Sequence, residues 1–333
     1  MSRFILCALL LIVPIAVAQK PGRLTIKCAT VAPDGSLWMK ILEEMNKEVF
    51  RKTRGRVRFK FFTGGIAGEE RAVLEKMRYG QLQAAALTGV GLGEVVPSVR
   101  IMELPFLFRN TAEYDHVLAK IAPRFEKQFE KKGFVILGWA EGGFAHVFSK
   151  LKITTVEQLK SARCWVRQGD QLTERVIQEI GTNGVSLAMS EVLTSVQTGM
   201  VDTVYVSPVA LIALQWFPHF KYLVDLPLVN IETGVIMTKK AFDSMSGADA
   251  KMVRSICRKH TRRLVKAIRA DDLKSKKILS EKGILTVEPE ASEISKFNEI
   301  SRRSAEALAG KLYSAELLKD VQQILSTLRA KKE

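Results

Sequence analysis

The residue types that do chemistry in proteins are scattered along this chain. Its histidines, His116, His146, His219 and His260, lie far apart and form no H-E-x-x-H pair for a catalytic metal. No G-x-S-x-G elbow presents a nucleophilic serine, and no G-x-x-x-x-G-K-[ST] loop cradles a nucleotide. The stretch Thr63-Gly64-Gly65-Ile66-Ala67-Gly68 follows an apolar run and opens a helical pattern, so its N–H groups could face an anion. It lacks dinucleotide spacing, and a tight turn is its expected role. Neither an enzyme activity nor a cofactor is expected.

The informative residues sit where short apolar runs end. In an open α/β sheet a ligand binds beyond the carboxyl ends of the strands. Those ends carry Asp34 with Trp38, then Thr88, Trp139 with Glu141, Trp165 with Arg167, and Tyr205 with Ser207; Trp216-Phe217 follows shortly after. Trp165 and Arg167 share a strand face, because side chains alternate. A guanidinium offers a fork of donors matched to a carboxylate. Arg167 is therefore the candidate anion partner, and Trp165, Trp139, Trp216 and Phe217 are candidate apolar walls. Glu141, Asp34, Trp38, Thr88 and Ser207 are further candidates.

The elements that must position these residues read as two β-α-β-α-β runs, a mostly parallel α/β organisation. The first comprises strands at 24–31, 57–63 and 84–88, with helices after Pro33-Asp34-Gly35 and over 69–79. The second comprises strands at 163–167, 184–188 and 202–206, with helices over 172–180 and 190–198. Two long extended segments, 134–150 and 222–239, each contain glycine and could belong to two sheets at once, as hinge strands. Thr154 to Glu157 and Ser246 to Asp249 read as helix-capping boxes. From Ala250 to Glu281 neither Pro nor Gly interrupts an apolar stripe, which predicts a helix long enough to brace both halves. Amphipathic helices follow over 292–308 and 315–328.

The chain of 333 residues carries a formal net charge of +16. Its basic residues are dispersed, as in Arg51-Lys52, Lys131-Lys132 and Arg262-Arg263, with no aromatic-interleaved stripe. A solvated surface is expected and a nucleic-acid partner is not. Residues 1–18 combine Arg3, an apolar run and Ala16-Val17-Ala18, the pattern of a secretory signal peptide. That predicts export to a bacterial periplasm. Cys28, Cys164 and Cys257 remain after such processing, in no C-x-x-C or metal-like spacing, and read as buried apolar residues or as one disulfide with a free thiol.

Several motifs together are similar to one family. Leu159-Lys160-Ser161-Ala162-Arg163-Cys164-Trp165-Val166-Arg167, then Glu191-Val192, Gln197, Gly199 and Val201-Asp202, resemble the L-K-G-x-K-[IV]-R-V-P and E-V-Y-x-A-L-Q-x-G-x-V-D-G segments of DctP-type solute-binding proteins of tripartite ATP-independent periplasmic (TRAP) transporters. Pro105-Phe106-Leu107-Phe108 matches the family's L-P-[FY]-L-F. The likeness covers nearly the whole chain after residue 18.

The resemblance implies a two-lobed periplasmic binding fold, each lobe a mostly parallel sheet flanked by helices. Residues 24–140 with about 232–260 would form lobe I, and 141–231 with about 275–310 lobe II. A connecting helix would span 248–281, and 311–333 would form a C-terminal helix and tail. It also implies a monomer that captures a small organic solute, acidic or partly apolar, and delivers it to the membrane subunits of a TRAP permease. A sensory module reporting a ligand to a membrane receptor is the alternative. One position departs from the pattern. The family's carboxylate-clamping arginine aligns with Trp165, and its proline with Arg167. Either Arg167 holds an acidic group from two residues further on, or the solute is not a simple carboxylate and stacks on Trp165.

Overall fold

The computed structural model describes residues 23–331; the signal-peptide reading falls outside the described residues. In chain order the strands are β1 (Leu24–Thr30), β2 (Val57–Phe62), β3 (Ala84–Thr88), β4 (Phe134–Ser149), β5 (Arg163–Arg167), β6 (Asn183–Leu187), β7 (Thr203–Val206), β8 (Tyr222–Thr238) and β9 (Leu285–Val287). They join in the order β2-β1-β3-β8-β4-β7-β5-β6, with β9 beside β8.

At each end of this sheet the short strands pair in parallel, β1 with β2 and β3, and β5 with β6 and β7. Helices cover both faces, so β3 reads Ala-Ala-Ala-Leu: its residues are buried on both sides. Ala84 and Ala86 meet Met39 and Leu42 of the helix Leu37–Lys52, while Ala85 and Leu87 face Leu74 and Leu92. The two expected sheets are continuous with each other, because β4 and β8 run antiparallel through both halves.

β4 and β8 have 16 and 17 residues, about 55 Å at the usual rise. The β4–β8 register shifts between Ile136 and Gly138, between Glu141 and Phe144, and between Ala145 and Val147. The middle shift contains Gly142-Gly143, and Gly143 has φ +89°. A Cβ there would stand 3.1 Å from the Ser207 Cβ. Gly143→Ala is expected to lower stability by about 1–3 kcal/mol, read as a lower urea midpoint. An unchanged midpoint would mean that the bulge relaxes at no cost.

The bracing helix runs from Gly247 to Glu281, 35 residues and roughly 50 Å long. Ser246 caps it, its Oγ accepting from the Asp249 N–H, and Arg56 pairs with Asp249 at 2.7 Å. Val253 and Cys257 join the core beneath β1 and β3, whereas Leu279 joins the core around Trp165. One rod thus enters the cores of both halves. Near β5 the cap lies one residue later than the sequence pattern suggests: Thr155, not Thr154, accepts from the Gln158 N–H.

The helix Thr111–Lys131 was not legible in the sequence. It contains Pro123, which removes a donor and normally ends a helix. Asn110 caps it, and Val117, Ile121, Phe125 and Phe129 bury one face. Cys28, Cys164 and Cys257 are free thiols, all buried.

Candidate ligand-binding site

A cavity of about 280 Å³ opens where the carboxyl ends of β1, β3 and β5 converge. Thr30, Pro33, Ser36, Trp38 and Thr88 come to its wall from one side, and Trp165, Arg167, Tyr205 and Val206 from the other. The volume is close to the lower end of the range for small-molecule sites, roughly 300–1,000 Å³. The wall has two regions, a polar seam and an apolar pit.

The polar seam is built on Arg167 and Arg100. Arg167 ends β5 and is 5% exposed. Its Nη1 donates to the Thr88 Oγ1 at 2.8 Å, and its Nη2 lies 3.3 Å from Glu70 and 3.4 Å from Glu69. Glu70 also accepts from the N–H groups of Thr88 (2.7 Å) and Gly91 (2.9 Å) and from the Thr88 hydroxyl (2.8 Å). Burial alone would lower the Arg167 pKa, but the charges of Glu70 and Glu69 outweigh it and raise it.

Arg100 is held in the same way. It pairs with Asp170 at 2.6 Å and with Glu103. Asp170 caps the helix Gln171–Ile180, accepting from the Thr173 hydroxyl at 2.7 Å. Burial pushes the Asp170 carboxyl up, and Arg100 with Thr173 more than offsets it, so it stays below its ordinary range. The Tyr205 hydroxyl lies 3.3 Å from Asp170; burial and the Asp170 charge push its pKa up, so it remains neutral.

The helix Gly89–Val95 explains how these charges fit. Its alternate glycines each receive one member of the seam. A Cβ on Gly89 would overlap the Glu103 carboxylate, one on Gly91 would stand 2.8 Å from the Glu70 Oε2, and one on Gly93 would stand 2.8 Å from the Arg100 Cδ. Side chains at any of the three would expel a charge from its partner.

The apolar pit adjoins the core that holds Cys164, whereas Trp165 belongs to the neighbouring core. Val147 of β4, Ile153, Val176 and Ile180 of the helix Gln171–Ile180, Leu226 of β8 and Phe297 of the helix Ala291–Leu308 form it. The Trp165 ring stacks on Tyr205 at 5.5 Å and meets Trp216 edge-on at 5.6 Å. Its Nε1 donates to the Leu187 carbonyl at 3.1 Å, so its polar atom is satisfied within the protein.

Of the ten candidates named from the sequence, Trp38, Thr88, Trp165 and Arg167 line the cavity, as does Tyr205 beside them. The other six do not. Trp139 packs on Phe125 and Phe129 and donates to Glu126. Glu141 is buried against Arg269 and Asn230. The Ser207 hydroxyl donates to the Gly142 carbonyl and caps a helix, and Trp216 lies in the core behind Trp165. Phe217 packs at the edge of that core, and Asp34 sits beside the wall, in the loop between Pro33 and Ser36. Strand alternation fixes which residues share a face, but not which face a helix covers. The seam residues Glu70, Arg100, Glu103 and Asp170 were missed. The available signal was charge inside apolar runs, as in Val99-Arg100-Ile101-Met102-Glu103-Leu104.

A cleft built by two halves of one chain, joined by long crossing strands and a common helix, defines a two-lobed solute-binding protein. The chain belongs to the bacterial extracellular solute-binding protein family 7, DctP, whose model matches residues 28–311. A solute-binding protein of Verminephrobacter eiseniae (strain EF01-2) is 27% identical over 276 residues, 82% of this chain and 81% of that one. A solute-binding protein of Chromohalobacter salexigens is 28% identical over 165 residues, a match spanning 49% of each chain, about half the length of that relative.

Among solved structures, the sugar acid binding protein DctPAm from Advenella mimigardefordensis, in complex with galactonate, superposes with a TM-score of 0.87 at 20% identity, over 92% of this chain and 99% of that one. A TRAP periplasmic solute-binding protein from Desulfovibrio salexigens with bound orotic acid gives 0.84 at 19% identity, over 91% and 99%. These likenesses establish the fold. No described helix is long and apolar enough to cross a membrane.

Proposed function

We propose that this protein is the periplasmic receptor of a TRAP-type transporter. It captures a small organic solute between two lobes, without turning it over, and hands it to the permease subunits in the membrane. The carrying observation is the cavity whose walls come from both halves of a family-7 chain. Solved relatives of this fold hold organic acids in complex, galactonate and orotic acid among them. In this reading residues 1–18 are removed on export. Lobe I comprises 24–140 with about 232–260, and lobe II 141–231 with about 275–310. The helix over 248–281 connects them, and 311–333 forms a C-terminal helix and tail. Closure is a population shift in which the solute bridges both lobes.

Native mass spectrometry of protein purified from its own periplasm should detect one co-purifying small molecule. X-ray scattering should then show a smaller radius of gyration when that molecule is restored to stripped protein. A stripped protein that never carries a solute, and never compacts, would end the receptor reading.

A further inference from the structure

The seam and the pit together decide what chemistry the cavity can take. A carboxylate buried in this cavity needs a cation that no other acid already neutralises, because an ion buried without a partner is costly. The only basic side chains on this wall, among the described residues, are Arg100 and Arg167. Both guanidiniums are already taken by carboxylates. Four acidic side chains, Glu69, Glu70, Glu103 and Asp170, face these two arginines. A further anion would meet excess negative charge. The Trp165 Nε1 is likewise taken, by the Leu187 carbonyl.

The remainder of the wall has little to offer a polar solute. The accessible surface of the wall is mostly hydrocarbon, with a few hydroxyls such as Thr30, Ser36 and Thr173 set among it. Sugar hydroxyls need many donors and acceptors, and each left unpaired costs affinity. The pit is instead lined by Val147, Ile153, Val176, Leu226 and Phe297, where hydrocarbon is removed from water.

We infer that the solute is predominantly apolar, that its hydrocarbon body fills the pit between β4, β5 and the helices Gln171–Ile180 and Ala291–Leu308, and that Arg167 ties the two halves instead of clamping a carboxylate. This rests on the receptor reading above and narrows it to a substrate class.

The test titrates stripped full-length mature protein with three probes in a calorimeter: decanol, decanoate and galacturonate. Decanol and decanoate should bind within about threefold of each other, and galacturonate about a hundredfold more weakly or not at all. Val176→Trp, which fills the pit, should weaken decanol binding about tenfold or more; Leu226→Trp serves the same purpose if the first variant does not fold. Galacturonate binding more tightly than decanol, or decanoate more than about tenfold tighter than decanol, would overturn the apolar class and leave the receptor reading standing. Decanol binding that neither folded variant disturbs would overturn the placement in the pit. If no probe binds and mass spectrometry finds a polar solute, this inference alone fails. If it finds none and the protein does not compact, both readings fail.

Discussion

Arg167→Ala is expected to cost about 3–5 kcal/mol, the cost of leaving a buried charge without its partner. Glu70 is 3% exposed, and the substitution would strip its cation while the Thr88 and Gly91 N–H groups remain. Those donors place the effect toward the lower end. The loss should be read in two ways, as a lower urea midpoint by tryptophan fluorescence and as a larger particle by X-ray scattering, because parting the two halves would let water reach Glu70. Combining Arg167→Met with Glu70→Gln removes both charges and should recover most of the loss, since a buried pair contributes little over apolar groups of similar size. A single variant matching the parent in both midpoint and radius would show that the seam is not a buried tie in solution.

Glu232 should give the protein a contribution to stability that weakens as pH rises. It is fully buried on β8, with the Tyr114 hydroxyl donating to it. Burial, with the neighbouring Glu141 charge, raises its pKa to about 8 against the Tyr114 hydrogen bond, from 4.5 in the unfolded chain. Between those values the folded state holds a proton that the unfolded chain has released. Stability from this group is therefore complete below about 4.5 and is lost progressively up to about 8. At about 1.4 kcal/mol per pH unit, the total is on the order of 5 kcal/mol.

Other carboxylates act in the opposite sense. Glu48 is held at about 2 by hydrogen bonds from Lys259 and His260. The clean observable is thus the difference between Glu232→Gln and the parent. The variant should gain on the parent by several kcal/mol between pH 5 and 8 in urea titrations. A difference that stays flat across that range would place an ionised, hydrated carboxylate at Glu232.

Much of the scaffold is legible from pattern alone, and the reasons are local. β3 and β5 begin and end at the expected residues, and β4 and β8 fall within one residue of the expected spans. The bracing helix is legible because no Pro or Gly breaks its stripe. Pro123 hid the helix Thr111–Lys131, since its cost is met by tertiary burial that a local pattern does not contain. The site is less legible for a related reason. Arg167 reads as a free anion partner from its strand end, but its partners Glu69 and Glu70 are about a hundred residues away in sequence. Trp139 reads as a wall from its place at the end of an apolar run, yet Phe125 and Phe129 of the helix Thr111–Lys131 pack against it.

The seating of Glu103, Glu70 and Arg100 on the three glycines of the helix Gly89–Val95 constrains how such a cavity can be remodelled by mutation. Deleting Glu70 or Glu103 to release an arginine for a new ligand leaves a void above a residue that has no side chain to fill it. Filling that void first means adding a methyl group where the carboxylate still stands. Either order passes through a defective intermediate, so specificity here is separated from its neighbours by a valley and must change by paired steps.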